Sequence, residues 1–218
     1  MNTSTQEKEI PGQLTQADLK QIAVDAVQLA IKRGASAAEA IAMDGSEFST
    51  TVRLGQVETL KEAGSKAIGV RVFFGQQAAS TYSSDLTASG VQQMIESAVA
   101  LAKVTSEDPF AGIPGPEQLG KIEGDLELYY DDVYSLSPAD RIDYARRAEK
   151  AATSADQRIV NSDGGSFDAA IGYKVLANSH GFVGDNRRSY CSVSAVPIAQ
   201  VEGAAMQRDY WYSVSHSL

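Results

Sequence analysis

The sequence predicts an α+β fold in which antiparallel β-meanders pack with amphipathic helices. Three observations carry this reading. Leu19, Ile22, Ala23, Ala26, Val27 and Ala30 recur at the spacing of one helical face. Phe48, Thr50, Val52 and Leu54 alternate at period two, as do Ile68, Val70, Val72 and Phe74. The same succession, a helix and then alternating segments, returns after residue 137.

Residues 1–13, MNTSTQEKEIPGQ, read as a frayed polar tail. A first α+β unit is expected over 14–104. Thr15 caps a helix with Asp18 at the third position, Lys32 and Arg33 suit the negative end of its dipole, and Gly34 stops it. From Ala37 to Tyr82 the spacing predicts a meander of about five strands, with Asp44-Gly45, Gly55-Gln56, Gly64-Ser65 and Gly75-Gln76 as turns. Val91, Met94, Ile95, Ala98, Val99 and Ala102 then mark a second helix.

Residues 105–136, rich in Pro, Gly and acids, read as a connector. The second unit, 137–218, opens with Ser137 as cap and Pro138 at the first helical position, and this helix runs to about Thr153. Strands are expected near 158–162, 166–177, 182–200 and 204–215. Two turn signals, at Asn161–Gly164 and Asn178–Gly181, bracket a strand that places Phe167, Ala169, Ile171, Tyr173, Val175 and Ala177 on one face.

A net charge of −9 over 218 residues opposes non-specific nucleic-acid binding, which needs a positive surface to displace counterions from phosphates. The densest basic patch, Arg141, Arg146, Arg147 and Lys150, lies among Asp140, Asp143 and Glu149 and reads as a solvated, salt-bridged helix face. Cys191 is the single cysteine, so no intrachain disulfide can form. The polar start is unlike a secretory leader, and no apolar run reaches membrane-helix length, so a cytoplasmic location with no membrane partner is expected.

The search for chemistry gives no catalytic residue and no metal ligand set. His180 and His216 are too far apart in sequence to chelate from one helical face, and neither is followed by a glutamate base. Ser179, His180 and Asp185 make a triad only in name, because adjacent turn side chains diverge. Cys191 falls in an alternating strand, Gly164-Gly165 precedes a strand rather than a helix, and the pair Asp131-Asp132 is unspecific. The final segment is different: Tyr210, Trp211 and Tyr212 are costly to leave in water. They are expected either to bury within the chain's own sheet or to meet a partner, and a free edge there could take an extended peptide by strand addition.

Several segments, in order, carry a resemblance: GQVETLKEAGSKAIGVRVFFGQQAASTYSSDLT (55–87), TSEDPFAGIP (105–114), ADQRIVNSDGG (155–165), the bracketed strand (161–182) and AAMQRDYWYS (204–213). Together they resemble the TldD/PmbA family, once described as modulators of DNA gyrase, and most closely its PmbA-type (TldE) subunit. The resemblance implies the N-terminal half of a noncatalytic subunit, with a further β-rich domain following in family members. It implies no cofactor in this chain, zinc in a TldD-type partner, and peptide substrates, including a toxin precursor and an antitoxin. No stretch here matches the HExxxH-like zinc motif of that partner. An adaptor for gyrase-related partners and an inactive remnant are the other expectations.

Overall fold

The computed structural model describes residues 14–120 and 124–218; the expected N-terminal tail lies outside them. The α+β expectation is met. In chain order the elements are α1 (Gln16–Lys32), β1 (Ala37–Arg53), β2 (Gln56–Phe74), β3 (Gln77–Ser83), α2 (Ala88–Ala102), a 3-10 turn (Pro116–Gln118), α3 (Asp132–Ser135), α4 (Pro138–Thr153), β4 (Ile159–Asn178), β5 (Val183–Ala199), β6 (Gln207–Arg208) and β7 (Trp211–Ser215). The strand order is β3-β2-β1-β4-β5-β6, with β7 also pairing to β5.

The first part of the predicted meander holds fewer, longer strands than expected. Between Ala37 and Ser83 there are three, because Asp44-Gly45 lies inside β1 and Gly64-Ser65 inside β2. Asp44 is buried and accepts the Leu14 N–H at 2.7 Å, with Lys66 Nζ at 3.9 Å, so it serves the entry to α1 rather than a turn. The turns are at Leu54-Gly55, both with positive φ (49° and 77°), and at the expected Gly75-Gln76. The Asn161–Gly164 signal is likewise not a turn: β4 runs through it. Ser162 Oγ accepts the Gly164 N–H at 2.8 Å, a local bond typical of turn residues, held here within a continuing strand.

The chain forms two compact units built from discontinuous segments, the first from the described residues of 1–45, 66–121 and 173–186, the second from those of 46–65, 122–172 and 187–218. The core of the first unit gathers the apolar face of α1 (Leu19, Ala23, Ala26, Ala30), that of α2 (Ile95, Ala98, Ala102) and the inward residues Ile68, Val70 and Val72. Both helices start as the sequence indicates. Thr15 and Asp18 form a reciprocal capping box, and the Thr87 side chain accepts the Gly90 N–H.

The core of the second unit centres on Phe48, Val52, Val133, Ala145, Phe167 and Ala169, with Tyr144 stacked on Phe167 at 5.3 Å between ring centroids. Ser137 and Asp140 cap α4 reciprocally. Glycine sets how closely α4 approaches β4. A Cβ on Gly165 would stand 2.3 Å from the Ala145 carbonyl oxygen and 2.6 Å from the Glu149 nitrogen.

Two residues of α4, one basic and one acidic, depart from the expected solvated face. Arg146 and Arg147 do pair with Asp143, at 3.9 and 3.0 Å. Arg141, however, is only 3% exposed, its guanidinium lying 4.5 Å from the Phe48 ring centre and 4.9 Å from that of Tyr134. Glu149 is buried too, its carboxylate bound to backbone N–H groups. Sequence proximity of opposite charges suggested pairing, but the helix turns these two side chains inward.

Candidate functional site

In the second unit the final strand lies open to solvent along its whole length. β7 pairs antiparallel with β5, from Ala195 opposite Trp211 to Cys191 opposite Ser215. All five of its residues are exposed, Trp211 at 80%. Alternation puts Tyr210 and Tyr212 on one face, where their rings stack at 6.3 Å, and Trp211 on the other. Burial in the chain's own sheet, one of the two expectations for this segment, is therefore not what occurs.

The strand is nonetheless held firmly at its far end. Ser189 Oγ donates to the His216 carbonyl at 2.5 Å, and His216 Nδ1 donates back to the Ser189 carbonyl at 2.6 Å. Cys191 Sγ donates to the Ser217 carbonyl at 3.3 Å, and the Leu218 N–H reaches Asp132 Oδ2 at 3.1 Å. These contacts fix β7 against β5, so the aromatic residues are presented on an ordered edge.

The chemistry-bearing residues are placed apart and each has a structural task. Ser179 Oγ accepts the Ala38 N–H at 3.1 Å, and its own N–H donates to the Ala38 carbonyl at 2.8 Å. His180 Nδ1 donates to the Pro114 carbonyl at 2.8 Å. Asp185 receives Lys20 Nζ at 2.8 Å and the Gln16 amide. The nominal triad thus has its serine, histidine and acid turned to three different partners. Burial pushes the Cys191 thiol upward, and the Asp132 carboxylate pushes it further the same way, which suppresses the thiolate. Asp132 and Cys191 do come together, but among the described residues no group of three or more His, Cys, Asp or Glu could hold a metal ion. The described residues do not fit a zinc centre.

Each unit carries a concave surface. In the first unit, a groove of about 470 Å³ runs between Val24, Val27 and Ile31 of α1 and the β4–β5 turn. In the second, a groove of about 350 Å³ lies between the β1–β2 turn, the end of α4 and the start of β4. Both present mostly apolar surface, the second with Arg146, Lys150 and Asn161 in its lining. A feature that sequence reading passed over is Phe110, which is 94% exposed within the connector. The signal available was the turn sequence Asp108-Pro109-Phe110-Ala111.

Comparison with known proteins decides the family. Residues 38–102 match the model for PmbA/TldA metallopeptidase domain 1, and residues 131–218 that for the PmbA/TldA metallopeptidase central domain. The chain belongs to the TldD/PmbA family. It is 37% identical over 198 residues to the metalloprotease PmbA homolog of Haemophilus influenzae, covering 91% of this chain and 43% of that protein. It is 35% identical over 175 residues to the metalloprotease PmbA of Escherichia coli O157:H7, covering 78% and 37%. The chain therefore spans less than half the length of these curated relatives.

Solved structures share the fold. A Bacteroides thetaiotaomicron protein described as a modulator of DNA gyrase aligns with a TM-score of 0.83 at 24% identity, over 91% of this chain and 45% of that one. TldE from Thermococcus kodakarensis aligns with a TM-score of 0.75 at 15% identity, over 90% and 43%. No helix among the described residues is long and apolar enough to cross a membrane.

Proposed function

We propose that this TldD/PmbA chain acts as a noncatalytic PmbA/TldE-type subunit region, which associates with a zinc-bearing TldD-type subunit in a cytoplasmic peptidase complex acting on peptides. The observation that carries the reading is the ordered match to the first and central domains of PmbA/TldA metallopeptidases, in a chain whose His180, His216 and Cys191 each make a structural hydrogen bond. The aromatic edge at β7 supports the same reading. An ordered strand with bare faces and an open side suits contact with another protein surface or with an extended peptide.

The test is co-expression of the tagged chain with a TldD-type subunit, then co-purification and a peptide-cleavage assay with and without a zinc chelator. Co-purification with chelator-sensitive cleavage is the expected result. A folded, monodisperse chain that neither associates nor alters cleavage by the TldD-type subunit would overturn the proposal.

A further inference from the structure

The connector between α2 and α3 presents one aromatic side chain in an unusual way. Phe110 is 94% exposed, more than any other large apolar residue described, yet the backbone that carries it is tightly built. The Asp108 N–H donates to the Gln76 carbonyl at 2.9 Å, and Gln77 Nε2 donates to the Thr105 carbonyl at 2.7 Å, so the loop is tied to the β2–β3 turn at both points. Asp108 Oδ1 accepts the Phe110 N–H and the Asp108 carbonyl accepts the Ala111 N–H, each at 2.9 Å. Pro109 has its φ locked by its ring. The result is a closed turn with phenylalanine at its tip.

Held in water, the phenyl ring forgoes the favourable transfer of its apolar surface. A rigid turn with an aromatic at its apex has the properties of an interface anchor: large contact area, few rotatable bonds and little entropy to lose on docking. The flanking charge narrows the partner. Glu107 and Asp108 precede the ring and are exposed, in a chain of net charge −9. Phosphate-bearing surfaces would be repelled. The complementary surface is a protein pocket, apolar at its base and rimmed by Lys or Arg.

From this we infer that Phe110 is the anchor by which the connector docks into a cation-rimmed apolar pocket on a partner protein chain. The inference rests on the proposed association with a TldD-type subunit and identifies a surface for it.

The experiment measures the dissociation constant between the full chain and a TldD-type subunit for wild type, Phe110→Ser, Phe110→Leu, Glu107→Lys and Tyr82→Ser. Tyr82, also strongly exposed, lies on β3 and serves as the control. Phe110→Ser should weaken binding at least tenfold with the unfolding temperature unchanged, Phe110→Leu should retain most of the affinity, Glu107→Lys should weaken binding, and Tyr82→Ser should bind as wild type. If wild type binds and Phe110→Ser binds equally well, the anchor assignment is wrong while the proposed association stands. If wild type does not bind at all, the association itself fails and the inference falls with it. Dimerisation of the isolated chain that Phe110→Ser abolishes would also overturn it, by making the partner a second copy.

Discussion

The carboxylate of Glu149 closes the turn at Leu54: one oxygen accepts the Leu54 N–H at 2.6 Å and the other the Gly55 N–H at 2.9 Å. A buried side chain from α4 thus supplies the acceptors that the tight β1–β2 turn lacks. Glu149→Ala leaves two backbone donors without partners and should cost about 3 kcal/mol, in line with hydrogen bonds to charged groups. Glu149→Gln, which keeps one acceptor, should cost less. Urea unfolding of both variants checks this, and a Glu149→Ala loss below ~0.5 kcal/mol, the scale of a neutral surface change, would refute it.

Gly165 and Gly181 separate two reasons for glycine. At Gly165 any Cβ meets the backbone of α4, 2.3 Å from the Ala145 oxygen. Gly181 has φ +86° but open space around it. Gly165→Ala should destabilise by about 3 kcal/mol through overpacking. Gly181→Ala should cost about 1 kcal/mol through backbone strain alone. Thermal unfolding that ranks them the other way would show that the helix yields at Gly165.

Much of this fold was legible because its helices announce themselves twice, by an apolar stripe and by a cap. Thr15 with Asp18 and Ser137 with Asp140 place α1 and α4 within a residue of their starts. The strands were less legible because Asp, Asn, Ser and Gly mark turns statistically but can also serve inside a strand. Asp44 does so as a buried acceptor and Gly165 as a close-approach residue. The inward course of Arg141 was invisible, since its neighbours offer it acids and only the fold brings Phe48 and Tyr134 beside it. For the exposed aromatic strand, sequence alone left burial and exposure both open.

Arg141 is buried against Phe48 and Tyr134. Its guanidinium sits between two rings and donates through Nη2 to the Tyr134 carbonyl at 3.2 Å, while Nε is buried with no partner in the structure. Arg141→Lys keeps the charge but loses the flat stacking surface, and Arg141→Ala loses the packed stem as well. We expect losses of about 1 and about 3 kcal/mol respectively. Equal stability of Arg141→Ala and wild type would mean that the stack contributes nothing.

Cys191 should titrate above the ordinary thiol range, because burial and then Asp132 disfavour its thiolate. The folded value lies above the unfolded one, so the contribution to stability is complete below the unfolded pKa and disappears as pH rises through the folded one. Alkylation by iodoacetamide should therefore be slow in the native chain near pH 8 and accelerate sharply in urea. Chaotrope-independent labelling would contradict the burial.

Trp211 gives the clearest contrast between exposure and core. With 80% of its surface in solvent and its backbone paired to Ala195, its indole contributes little to the stability of the isolated chain. Trp211→Ser should change unfolding free energy by less than ~0.5 kcal/mol, as at other exposed positions. It should also raise solubility, because an edge strand with apolar faces is a template for self-association. Phe167→Ala, in the core of the same unit, should by comparison cost about 4 kcal/mol. Light scattering against concentration, with unfolding curves for the three chains, distinguishes the cases. A large stability loss in Trp211→Ser would mean that the indole is covered in solution.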